Sequence, residues 1–142
     1  MRMASIIVAA LIAAMAVEHA QGNALATVIT LSCDGKITDA RGSEAKPEPI
    51  SKMGVVVNLT ERTVAGFGGI VAHIDKADAV YVSFSGQGQL TAPGASGNSI
   101  SVGDMSVMGD LDRVTGAVSA TTMTKATTYS YELFCKPTKS LF

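Results

Sequence analysis

Two cysteines, Cys33 and Cys135, and two histidines, His19 and His73, are the only side chains of their kinds in this 142-residue chain. Redox, metal or nucleophilic chemistry would have to be assembled from these four and from carboxylates. Nucleophilic catalysis needs a nucleophile beside an oriented base. His19 lies in the N-terminal leader region, which leaves His73 alone, on a run that reads as structural strand. No Gly-x-Ser-x-Gly elbow occurs, because Ser83-Phe84-Ser85-Gly86 and Ala95-Ser96-Gly97 lack the flanking glycines that the strained turn requires. Zinc needs several Cys, His or carboxylate ligands at set spacings, and the cysteines are better used on each other. His73, Asp75 and Asp78 could converge at a turn, where solvated side chains are the ordinary outcome. Asp104, Asp110 and Asp112 have the composition of a calcium loop without its spacing, central glycine or terminal glutamate. Gly86-Gln87-Gly88-Gln89 is followed by neither a helix nor Lys-Ser/Thr, so it is no phosphate loop. Asn58-Leu59-Thr60 fits a glycosylation sequon, which matters only in a eukaryotic secretory route. No catalytic, metal-ligating or cofactor-binding residue is assigned on these grounds, and no cofactor is expected. Paired carboxylates on loops keep a small hydrolase or lyase as an alternative.

The elements that position the cysteines are the two ends of the folded region. Val28 to Cys33 and Tyr129 to Cys135 both alternate, and alternate residues of a strand share a face. Ile29, Leu31 and Cys33 point one way, as do Tyr129, Tyr131, Leu133 and Cys135. Each cysteine thus sits on the more apolar face of its strand. Two cysteines in an exported chain are best read as one disulfide. Closing a loop of about 100 residues contributes roughly 4–5 kcal/mol on the chain-entropy account.

Export is read from the N-terminus. Arg2 supplies a positive start, Ile6 to Val17 is an uncharged apolar run, and small-x-small cleavage signals follow. Cleavage after Gly22 gives a signal peptide over 1–22; cuts after Ala16 or Ala26 also fit. The apolar run of about 12 residues is short of the roughly 20 that a span needs, and no later segment is long and apolar enough. Net charge is −1 and the pI about 6.1, so no basic surface argues for nucleic acid or anionic lipid. With no Trp and 5% aromatic residues, the core must come from Val, Ile, Leu, Ala and Met.

The remaining chain reads as a single all-β domain over 27–137 with a short tail at 138–142. Residues 40–52, charged and carrying two prolines, read as an exposed extended loop. Met53 to Leu59 alternates with Met53, Val55, Val57 and Leu59 inward. In Thr63 to Ile74, the glycines at 66, 68 and 69 indicate a bulge or sharp bend, the device that curls a sheet. Val80 to Ser85 is the clearest strand, with Val80, Val82 and Phe84 inward. Residues 86–101, rich in Gly, Ser and Gln, read as a long flexible loop with short strands at its ends. Met105, Val107, Gly109 and Leu111 face inward, and Asp112 to Gly116 is a hairpin connection in which Asp112 accepts backbone N–H groups. Asn58 to Gly66 and Asp110 to Gly116 share turn chemistry. Seven to nine strands joined as hairpins point to an antiparallel meander closing into a barrel of about eight strands, with the disulfide near its seam and no exposed edge. A two-sheet β-sandwich is the alternative.

The run Met53 to Asn58, the hairpin Gly109 to Gly116 and the ending Cys135-Lys136-Pro137-Thr138 together resemble a group of small exported proteins of Gram-negative bacteria, itself uncharacterised. The resemblance implies export and a one-domain β fold, and carries no active site to transfer. The resulting expectation is an exported, non-enzymatic β domain with a binding or structural role, periplasmic or extracellular, whose partner is a protein or a small ligand. The alternatives are the carboxylate hydrolase or lyase, a carrier of a small apolar ligand between the barrel walls, and an inhibitor inserting the 86–101 loop. A sizeable apolar cavity favours the carrier, and a filled interior removes it.

Overall fold

Period-two alternation runs through the described chain, and it sorts into eight strands. The computed structural model describes residues 28–40 and 45–138. The signal-peptide reading, with His19, and residues 139–142 of the tail lie outside them. The strands are β1 (Val28–Asp39), β2 (Pro47–Asn58), β3 (Thr63–Phe67), β4 (Ile70–Ala77), β5 (Tyr81–Pro93), β6 (Ser99–Asp112), β7 (Ala117–Thr124) and β8 (Thr128–Pro137). Each pairs antiparallel with its sequence neighbours, and β8 returns to β1, so the sheet is a closed barrel. The two-sheet sandwich is thereby excluded.

The seam is the place where the two cysteines meet. Cys33 is directly opposite Cys135 in the β1–β8 ladder, and the pair is bonded, with Cα atoms 4.0 Å apart. The ladder's hydrogen bonds from Thr138 N to Thr30 O and from Ala40 N to Thr128 O put the even-numbered β1 residues in the bonded positions. Cys33–Cys135 therefore falls at a non-bonded position, where side chains of facing residues come closest. Both cysteines are buried.

The interior is packed rather than hollow. Phe67 stacks on Phe84 with ring centroids 5.5 Å apart, and meets Tyr131 edge-on at 5.4 Å. Val55, Val57, Val64, Val82, Val107 and Leu133 surround the rings. Thr122 is the one buried polar side chain among the described residues, and no buried side-chain nitrogen or oxygen there lacks a hydrogen-bond partner. Gly109 is part of the same packing. A Cβ at this position would lie 2.6 Å from Phe84 Cζ and 2.8 Å from the Ala120 Cβ, so the Phe84 ring takes the space a side chain would need.

Several segments differ from the sequence expectation. The second half of the expected 40–52 loop is strand: β2 begins at Pro47, and Gly35 to Thr38 pair with Ile50 to Pro47. Prolines suggested a loop because they cannot donate to a ladder, but an edge strand tolerates them where the missing N–H would face away. The 86–101 loop is also mostly strand. β5 runs to Pro93 and β6 starts at Ser99, with Gly94 N bonded to Asn98 O. Its small polar residues reflect a hairpin arm with little to bury, not a missing ladder. The 63–74 segment resolves into two strands. Gly66 sits at a bulge between Ala65 and Phe67, and Gly68 and Gly69 (φ 61° and 76°) form a two-residue turn with both central residues left-handed. That geometry matches strand twist and favours glycine. Val80 lies before the strand and is 41% exposed, not inward.

Candidate functional site

The β2–β3, β4–β5 and β6–β7 turns share one end of the barrel with the start of β1 and the end of β8. Each turn is held by a side chain accepting from the backbone. Asn58 Oδ1 accepts from Thr60 and Glu61 N–H, Asp78 Oδ1 from Val80 and Tyr81, and Asp112 Oδ1 from Val114 and Thr115, all at 2.8–3.1 Å. The shared turn chemistry read from the two segments is thus present, with the acceptors at Asn58 and Asp112. Two arginines extend these ties: Arg62 Nη2 donates to Ile74 O on β4 at 2.8 Å, and Arg113 Nη1 donates to Asp78 O in the β4–β5 turn. Backbone N–H groups hold the Asp78 and Asp112 carboxyls below the ordinary aspartate range. The largest contributions come from Tyr81 and Thr115 respectively.

Inside this ring of turns the barrel stays open. A concavity of about 380 Å³ is floored by Leu31, Val57, Val82 and Leu111, walled by Ile29 and Leu59, and rimmed by Arg113, Val114 and Thr115. Cys135 and Pro137 bound it on the β8 side. Gly116 closes the rim with φ 78°, and its carbonyl accepts from Cys135 N–H at 2.8 Å. The turn that roofs the hollow is therefore pinned to the disulfide-bearing strand. The lining is apolar on the floor and polar only at the lip, the usual character of a small-ligand site.

The candidate residues singled out in the sequence are dispersed. His73 is on the outer face of β4, exposed, opposite Thr63 and Ser85. Asp78 is engaged in its turn and by Lys76 at 3.5 Å, and Asp75 is exposed on the barrel wall. Asp104, Asp110 and Asp112 are spaced along β6. Among the described residues no three His, Cys, Asp or Glu come close enough to hold a metal ion. Asp39 and Glu48 do line one small pocket, of about 180 Å³, at the opposite end with Ile37 and Tyr129. Asp39 accepts the Thr127 hydroxyl at 2.7 Å. That closeness was invisible in sequence because it arises from β2 running alongside β1 over residues expected to be a loop. The mouth was equally invisible, since its lining comes from five strands and two turns.

No helix among the described residues is long and apolar enough to cross a membrane. The barrel is apolar within, and its outer positions carry Lys36, Asp110 and Glu132. Comparison with protein-family models, curated proteins and solved structures finds no match for this chain.

Proposed function

We propose that this chain is an exported, non-enzymatic β-barrel that binds a compact apolar group at its open mouth. The observation that carries the reading is the apolar hollow of about 380 Å³ between the turns and the packed core. The Phe67, Phe84 and Tyr131 cluster fills the middle of the barrel, which removes the carrier with a ligand between its walls; the mouth is a separate, shallower site. Known small-molecule sites span about 300–1,000 Å³, which puts this one at the small end, suited to a short acyl chain or a single ring. Asp112 and Arg113 stand together at the lip, both engaged in turn hydrogen bonds, so the ligand is selected by its apolar body. Export is supported by the apolar N-terminal run and by a disulfide, a bond that persists in oxidising compartments.

Octanoate titrated into the protein, with methyl resonances followed by NMR, tests the site. The expected result is saturable shifts at Leu31, Val57, Val82 and Leu111, weakened at least fivefold by Leu59→Glu at the wall. Shifts that never saturate, or that spread evenly over the barrel, would remove the mouth as a binding site.

A further inference from the structure

The chain has seven aromatic residues. Phe67, Phe84 and Tyr131 fill the interior, whereas Tyr81 and Phe134 stand on the outer wall, 52% and 67% exposed. These two flank one groove. It crosses β5 to β8 outside the barrel, has a volume of about 390 Å³, and is floored by Ala117 and Ser119. Tyr81 is opposite Asp112 in the β5–β6 ladder, and Ala117 is opposite Phe134 in the β7–β8 ladder. Three strand spacings thus separate the aromatic positions, about 14 Å.

The groove between them is acidic. Asp110 lines it on β6, two residues from the Tyr81–Asp112 pair, opposite Ser83 on one side and Ser119 on the other. Asp112 and Glu132 line it as well. Glu132 is neutralised by Lys36 at 2.8 Å, and Asp112 already holds the β6–β7 turn. Asp110 makes no ion pair or side-chain hydrogen bond among the described residues. A free carboxylate one strand from Tyr81, two from Phe134 and about 7 Å along β6 from the row that joins the rings is within reach of a long basic side chain held between them. In an extended peptide, residues i, i+2 and i+4 share a face, and i to i+4 spans about 13 Å.

The geometry points to a docking surface for an extended segment of a partner protein with the pattern apolar-x-basic-x-apolar. The basic side chain pairs with Asp110, and the two apolar side chains pack on Tyr81 and Phe134. Small residues at 117 and 119 let the peptide backbone lie close to the sheet. Exposed aromatic rings are favoured at protein interfaces because they bury large area at little entropic cost.

The test uses the peptide acetyl-Leu-Ser-Arg-Ser-Leu-amide, titrated into the protein by NMR, and the same peptide with Glu in place of Arg. The expected result is saturable shifts at Tyr81, Ser119 and Phe134, with affinity falling as salt rises. Asp110→Asn should weaken binding about two- to fivefold, and Phe134→Ser roughly tenfold. Both positions are exposed, and unchanged thermal unfolding confirms that each variant stays folded. Equal binding of the Glu peptide would overturn the proposal, as would no response at Tyr81 and Phe134. Saturable shifts at these rings with maltotriose and none with the peptide would also overturn it, and would mark the groove as a sugar-stacking surface. Octanoate binding in the mouth, read at Val82 and Leu111, is independent of each of these outcomes.

Discussion

Asp78 and Asp112 each accept two backbone N–H groups with one carboxylate oxygen, and Asn58 does the same at a third turn of the same end. Only the aspartates titrate. Their carboxyls are held below the ordinary value of 3.8, chiefly by the backbone donors of Tyr81 and Thr115. A folded pKa below the unfolded one adds stability that is fully present above the unfolded value, and it is lost as pH falls through the folded value. Acidification below about pH 4 should therefore loosen the β4–β5 and β6–β7 turns before the β2–β3 turn. Thermal unfolding followed from pH 6 to pH 2 should show a steeper acid loss for the natural chain than for Asp78→Asn with Asp112→Asn. Parallel curves would show that these carboxylates do not govern acid stability. The role of Asp112 was legible in sequence because a short acceptor two and three residues before amide donors is a local signal. The tethering of Arg113 to Asp78 O, 35 residues away, was not, because it depends on which turns share an end.

Uneven strand lengths leave free edges on the elements. β3 has five residues where β2 has twelve, and β3 pairs only with Val56 to Asn58. The outer edge of Pro47 to Ile50 has no neighbour among the described strands. The β1–β2 register turns Glu48 and Ile50 toward β1 and Pro47 and Pro49 away from it. The two prolines therefore stand where an N–H would otherwise face outward. The arm formed by the ends of β5 and β6 carries Pro93 on one edge, and a register shift beside Gly103 (φ 143°) with Asp104 on the other. Proline, bulge and charge are the standard means of keeping a free edge from pairing with another chain. Pro47→Thr with Pro49→Thr should leave thermal unfolding nearly unchanged and produce concentration-dependent association by sedimentation velocity. A monodisperse double variant would show that the prolines serve another purpose. Such residues read as loop in sequence because a proline looks the same beside solvent and on a strand edge, and the difference lies in the neighbouring strand's length.

At the scale of the whole molecule, one covalent bond joins the first strand to the last, across 102 residues. It lies where the β1–β8 ladder already closes the sheet, with Cys33 fully buried. Replacing both cysteines by Ala should cost about 2–5 kcal/mol, seen as a lower urea midpoint. The ladder from Leu31–Pro137 to Asp39–Tyr129 should still form, so the far-ultraviolet spectrum of the variant should stay that of a β protein. An unchanged midpoint would mean the noncovalent seam alone sets the stability.

Alternation by itself determined the all-β class and the inward faces of Leu31, Val55, Val82, Val107 and Leu133, and the partnership of Cys33 with Cys135 came from their being the two cysteines of a chain read as exported. These are legible because a period of two is local and because two cysteines on inward faces have one partner each. Tertiary structure alone decided that the sheet closes instead of splitting in two, that the centre is filled while one mouth stays open, and that Tyr81 and Phe134 flank a common groove. Those outcomes follow from register, bulges and strand lengths summed around eight strands, and from side-chain volumes meeting at one level of the barrel. Neither is a property of any single stretch of chain.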